Sequence, residues 1–216
     1  QVAAAPSPHD QLARLLRAGE QALSAIPAEL RTRPVQKQAT PAIGSSRSFT
    51  FTELGNVTSD RTITATLVAL NNDALAYLDT VPSDSADVVT TDEIQAIIDR
   101  FSSSSLSTVN TTFGGPSDID GDGKLLFLFT PVVDEVGGFG GFFRSASLFE
   151  TNVGGDGNLA DMMYISPTQG ADFYDPLLAH EYQHLVNFNQ HVLVNDGSGE
   201  ESWLNEALSY FTEDLI

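Results

Sequence analysis

Apolar residues along the chain change their period several times, and each change predicts an element. Leu12, Leu15, Leu16, Leu23 and Ile26 recur at helical spacing behind Pro8 and Asp10, so residues 11–26 read as an amphipathic helix. Pro27, Pro34 and Pro41 then punctuate a polar stretch, a linker that ends near Ser46. From Arg47 the period drops to two: Phe49, Phe51, Ile63, Ala65, Leu67 and Ala69 alternate with Thr and Ser, as in half-buried strands turning at Gly55-Asn56. Residues 74–80 read as another strand. Helical spacing returns at Ile94, Ile97, Ile98 and Phe101, with Thr90 or Thr91 placed to cap it. Three further strands are expected at residues 125–129, 142–148 and 162–166. A helix should begin after Gly170, with Asp172 or Asp175 near its start and Pro176 in its first turn. Its apolar side would be Leu177, Leu178, Leu185 and Val186. The turn Asn195 to Gly199 leads to a last helix with Glu200 and Glu201 at its positive end. The order is that of an α+β protein, divided into residues 1–46, a helix with a Pro-containing linker, and residues 47–216, the main domain.

Composition narrows the class. The 216 residues are 41% hydrophobic with 17 Gly, and no apolar run approaches the roughly 20 residues of a membrane-spanning helix. With no Cys, neither disulfides nor thiolate metal sites are available. The net charge of -19 is uneven: residues 1–47 hold six of the ten basic side chains, leaving four bases against 26 acids in the remainder. Such a body repels nucleic acid and anionic membranes. The N-terminal helix and basic linker read as a propeptide remnant, an arm lying across the acidic body, or an ordinary terminal helix. No charged and apolar leader pattern opens the chain, so the expectation is that any signal peptide has been removed or never existed.

The chemistry concentrates at His180-Glu181-Tyr182-Gln183-His184. Helix positions four apart lie one above the other, so both imidazoles can face one ion, and neutral imidazole suits zinc. Glu181 is rotated by about 100° from His180 and stands beside such an ion, where it can act on a water. Catalytic zinc takes a third protein ligand. The pattern with a Gly three and a His six residues after the second His fails, because Asn187 and Gln190 occupy those places; His191 misses by one. Glu206, beyond 21 intervening residues, can arrive on a second helix and is read as the third ligand.

The run from Ala179 to Leu185, Asn187-Phe188-Asn189, and Trp203-Leu204-Asn205-Glu206-Ala207-Leu208-Ser209 together resemble the gluzincin metallopeptidases, and among them the hyicolysin family of secreted bacterial endopeptidases. The resemblance covers the second half of the chain, with a weaker echo at residues 118–124. It implies a zincin-like domain, His180, His184 and Glu206 as zinc ligands, Glu181 as general base and acid, a peptide substrate and an extracellular location. Thermolysin-like enzymes carry an Asp four residues after the ligand Glu to support a zinc His; here that place is Tyr210, so Asn205, Tyr210 and Glu213 are the candidate supports. The resemblance also implies an edge strand that pairs with extended substrate, placed at residues 142–148 with Phe142, Phe143, Arg144, Ser145 and Ala146 as contacts; those aromatic residues read equally well as core. A helical C-terminal subdomain supplying an oxyanion-stabilising Tyr or His is implied too, and is expected to be short or missing.

Asp118, Asp120 and Asp122 with Gly121 and Gly123 match the opening of a calcium loop, but Phe129 stands where an EF-hand needs a bidentate Glu. A calcium site closing onto a strand and a plain Asx-Gly turn both remain open, with Asp134 or Glu135 as a distant ligand. The Gly-rich stretch 137–157 lacks the Lys and Ser/Thr of a phosphate loop. An aminopeptidase of the same class would need a Gly-Ala-Met-Glu-Asn segment, which this chain lacks; a noncatalytic zinc or calcium module is the other alternative.

Overall fold

The computed structural model describes residues 5–31, 39–80, 88–137 and 140–216. Among them a mixed sheet is built from β1 (Ser46–Phe51), β2 (Arg61–Leu70), β3 (Ala74–Asp79), β4 (Leu125–Phe129), β5 (Gly141–Phe143) and β6 (Met162–Ile165), in the spatial order β1-β2-β3-β4-β6-β5. The helices are α1 (Pro8–Ser24), α2 (Ala28–Arg31), α3 (Thr91–Ser103), α4 (Ser105–Phe113), α5 (Val132–Val136), α6 (Tyr174–Phe188) and α7 (Ser202–Glu213). The architecture is mixed α+β.

The sheet is antiparallel from β1 to β3, parallel through β3, β4 and β6, and closed by antiparallel β5 at its edge. Parallel strands are covered on both faces and therefore read as unbroken apolar runs. Leu125–Phe129 obeys this, with all five side chains buried. Alternate residues feed two cores: Phe127 and Phe129 pack with α3, α4 and α6, while Leu126 and Leu128 pack with Leu12 and Leu16 of α1 and the valines of α5. In β2 the alternation survives because Thr62, Thr64 and Thr66 lie on the uncovered side.

Two helices start where local capping dictates. Ser7 accepts from the Asp10 N–H while the Asp10 carboxylate takes the Ser7 N–H, so α1 begins three residues earlier than the apolar spacing suggests. Thr90 and Glu93 form the same reciprocal box at α3.

The strand expected at residues 142–148 is shorter. Pairing with β6 ends at Phe143, and Ser145–Leu148 coils into a 3-10 turn. The cause is polar: Arg144 turns away to donate to the Thr52 carbonyl, and Ser147 donates to the buried Asp156 carboxylate. The expected linker residues 32–38, and Gly138 of the Gly-rich stretch, lie outside the described residues.

Candidate metal centre

Helix α6 is central to the fold: every residue from Leu177 to Phe188 is buried. It follows a 3-10 turn at Ala171–Phe173, and Pro176 sits in its first turn, where no N–H is needed. One face holds Leu178, Tyr182 and Leu185 in the core, which turns His180, Glu181 and His184 toward α7 and the edge of the sheet. Gly141 lets β5 run close against α6; a Cβ there would lie 2.8 Å from the Tyr164 carbonyl oxygen and 3.3 Å from Leu177. Helix α7 packs beside α6 with Asn205, Ser209 and Thr212 buried, and Glu206 on the shoulder of that face.

Glu206 Oε2 lies 3.6 Å from His180 Nε2 and 3.7 Å from His184 Nε2. A tetrahedral ion with bonds of about 2.0–2.1 Å separates its ligand atoms by roughly 3.4 Å, so Glu206 Oε2 stands within a few tenths of an ångström of that spacing from each ring nitrogen. The ligand atoms of His180, Glu181 and His184 also lie within 4.8 Å of one another. Glu181, however, is held elsewhere: its Oε2 accepts the Phe143 N–H of β5 at 2.8 Å. Glu181 Oε2 is thus engaged with β5, while Glu206 Oε2 stands near both imidazoles.

The far nitrogens of both rings are supported. His180 Nδ1 is 2.6 Å from Glu213 Oε1, and His184 Nδ1 is 2.7 Å from Asn205 Oδ1 and 3.0 Å from Ser209 Oγ. Tyr210 makes an edge contact, ring to ring, with His180 at 5.0 Å. His191 sits on a π-helical turn, Asn189–Val194, near Glu200 at 3.5 Å and outside the cluster.

Electrostatics follow from burial and crowding. His180, Glu181 and His184 are 6%, 3% and 2% exposed. Burial pushes the Glu181 carboxyl up to about 7 against the pull of His180, the Phe143 N–H and Arg17. Burial opposes charge on His180, but Glu206, Glu181 and Glu213 outweigh it and raise the ring to about 9. His184, deeper and beside Arg17 and His180, is held well below its usual value. A dication would displace these protons, because its charge dominates the local field.

Two residues absent from the expected set enter from α1. Arg17 and Glu20, both buried, form an ion pair at 2.9 Å beside His184. A signal was present: Arg17 and Glu20 continue the helical spacing of Leu12, Ala13, Leu16 and Leu23, placing two charges on the apolar face.

No family model matches the chain. The neutral metalloprotease ShpI of Staphylococcus hyicus is 34% identical over 121 residues. This chain is similar to a metalloprotease. The likeness takes in 50% of this chain and 27% of ShpI, so the chain spans about a quarter of that relative's length. It supports metal-dependent peptide hydrolysis in general terms. Among the described residues no helix is long and apolar enough to cross a membrane.

The remaining expected residues divide. Asp118, Asp120 and Asp122 converge within 4.8 Å, with Asp120 buried. Phe142 and Phe143 are core side chains, fully buried in opposite clusters, as the second of the two readings of these aromatic residues expects. Arg144 and Ser145 are likewise spent on the fold: Arg144 holds Thr52 and Ser145 is buried in the 3-10 turn. A cavity of about 260 Å³ opens beside His180, walled by Phe173, Pro176, Leu177, Tyr210 and Glu213. A larger one, about 490 Å³ between Glu93, Arg100 and Tyr174, is remote from the imidazoles.

Proposed function

We propose that the chain is a zinc-dependent endopeptidase domain of the zincin-like, gluzincin type, acting on peptides outside the cell. The observation that carries this is the approach of Glu206 Oε2 to both Nε2 atoms, at 3.6 and 3.7 Å, on a second helix. His180, His184 and Glu206 would hold the zinc, since two neutral imidazoles and a carboxylate are a donor set zinc accepts with one position left open. When bound, zinc would supply Lewis acidity to a water and to a peptide carbonyl near neutral pH.

The chain's own residues do the rest. Glu181 takes a proton from the attacking water and returns it to the departing amine, a task suited to a carboxyl whose burial lifts it toward neutrality. The Phe143 N–H fixes the Glu181 carboxylate in place. Edge strand β5 offers main-chain groups, not side chains, to an extended peptide, and the cavity beside His180 takes an apolar side chain of that peptide. Asp118, Asp120 and Asp122 are proposed as a calcium site that steadies the entry to β4.

Cleavage of an internally quenched, end-blocked peptide by the zinc-loaded chain tests this reading. Turnover that vanishes with chelation and returns with zinc is expected. Cleavage confined to free amino termini would make it an aminopeptidase, and zinc binding without turnover a noncatalytic module.

A further inference from the structure

Helix α1 lies along the strand that the proposed function offers to substrate. His9, near its start, lines the cavity beside His180 together with Gly140, the residue before β5. Leu15, Gly19 and Leu23, further along, line another cleft with Ala146, just past β5. A helix over residues 9–23 rises about 21 Å, enough to shadow all of residues 140–146, which reach at most about 20 Å. Leu12 and Leu16 join the apolar layer of Phe142, and Leu23 that of Phe143, so α1 crosses from one face of the sheet to the other past its β5 rim.

Polar contacts complete the cover. Arg17 Nη1 is 2.9 Å from His184 Nδ1, Arg17 Nε is 3.9 Å from Glu206 Oε1, and Asn205 donates to Glu20 Oε2 at 3.2 Å. Gln21 donates to the Gly199 carbonyl at 2.6 Å, just ahead of α7. With α1 in place His180, Glu181 and His184 are buried. A peptide that adds to β5 as a further strand needs the space that α1 fills.

We propose that α1 is a built-in inhibitor: it occupies the open flank of β5 beside the metal site, and an extended peptide enters only when α1 has left. The inference rests on β5 being the substrate strand, as the proposed function has it, and adds how access to that strand is controlled.

The contact is built to come apart. A cleft of about 410 Å³ remains between α1 and Leu54, Ala146 and Val153, where a core helix would be close-packed. Gly19 weakens the helix although nothing stands within 4 Å of the place its Cβ would take, so no neighbour demands a small residue there. The charges that α1 buries, Arg17 and Glu20, pair at 2.9 Å, and such a buried pair adds little stability over apolar side chains.

The test severs the full, zinc-loaded chain at a recognition sequence for a site-specific cysteine protease, inserted between Thr40 and Pro41 ahead of β1, in the wild type and in L16D. Leu16 is buried in the contact, and an unpaired carboxylate there drives α1 off. Size-exclusion after dilution follows the release of residues 1–40. On release, kcat/KM for the internally quenched, end-blocked peptide should rise by about tenfold or more, as the competent fraction rises. L16D should exceed the wild type before cutting, and a synthetic peptide of residues 5–31 should restore inhibition by raising KM while kcat stays. Hydrogen exchange reads the cover without catalysis: amides of residues 141–148 should exchange about tenfold faster or more in the released form.

An intact wild type as active as the released form, or activity that falls both on release and in L16D, would overturn the proposal. So would unchanged exchange at residues 141–148, or an arm that dilution frees from neither protein. Should L16D fail to fold, the severed wild type and the added peptide decide the matter. Should exchange rise on release while no form cleaves the peptide, the peptidase reading fails and the cover by α1 stands.

Discussion

Glu213 and Glu206 stand seven residues apart on α7 and address opposite nitrogens of one ring: Glu213 Oε1 is 2.6 Å from His180 Nδ1, and Glu206 Oε2 is 3.6 Å from His180 Nε2. Seven residues are close to two helical turns, so both carboxylates leave the same face. In the proposed site the support for His180 would come from Glu213, one turn beyond Tyr210. Removing an outer partner of a metal-bound His typically weakens binding by 10–100-fold. Glu213→Ala should therefore raise the zinc dissociation constant by about tenfold, while Tyr210→Phe, which keeps the ring contact, should leave it unchanged. Competition with a chromogenic chelator measures both.

Glu181→Gln keeps the shape of the side chain and the contact with the Phe143 N–H. It should bind zinc as the wild type does and lose about 10²–10⁴ of kcat. The base must be ionised, so kcat/KM should fall on the acid side, with its limb at or below about 7, since burial raises Glu181 and a neighbouring dication lowers it. Metal content and a pH profile of the two proteins check both statements.

The Asp loop predicts how stability depends on pH. Burial, with the Asp122 charge beside it, raises Asp120 from 3.8 to about 7. The folded state then binds a proton more readily than the unfolded chain, so stability should decline as pH rises from about 4 to about 7 in the presence of chelator. Asp120→Asn should flatten that decline. Calcium should restore the lost stability above pH 7 if the three carboxylates share an ion; a melting temperature indifferent to calcium would leave the loop a plain turn.

How much was legible beforehand depended on whether the signal was local. Thr90 and Glu93, or Ile94 and Phe101, announce a helix because their partners are a few residues away. The spacing of the imidazole pair was legible for the same reason, as was the placing of Glu206 on a second helix. Residues 142–148 misled because an apolar run does not reveal that Arg144 will seek Thr52, or that Ser147 will seek Asp156. Phe142 and Phe143 could not be divided between core and cleft until the sheet order placed one in each apolar layer. Arg17 meets His184 across 167 residues of chain and pairs with Glu20, and only the place of the two charges on an apolar face hinted at a buried purpose.

Zinc should also stabilise the fold, because in the proposed site α6 and α7 would both hold it and the unfolded chain would not. At a free concentration 100 times the dissociation constant the gain is about 2.7 kcal/mol. Differential scanning of the wild type and Glu206→Gln should show a large upward shift in the first and a much smaller one in the second.

The most direct measurement is anomalous scattering at the zinc absorption edge from a crystal soaked in zinc. One strong peak about 2.0–2.1 Å from His180 Nε2, His184 Nε2 and Glu206 Oε2 is predicted. A peak elsewhere, or none, with the Glu206 carboxylate turned away from both rings, would contradict the account.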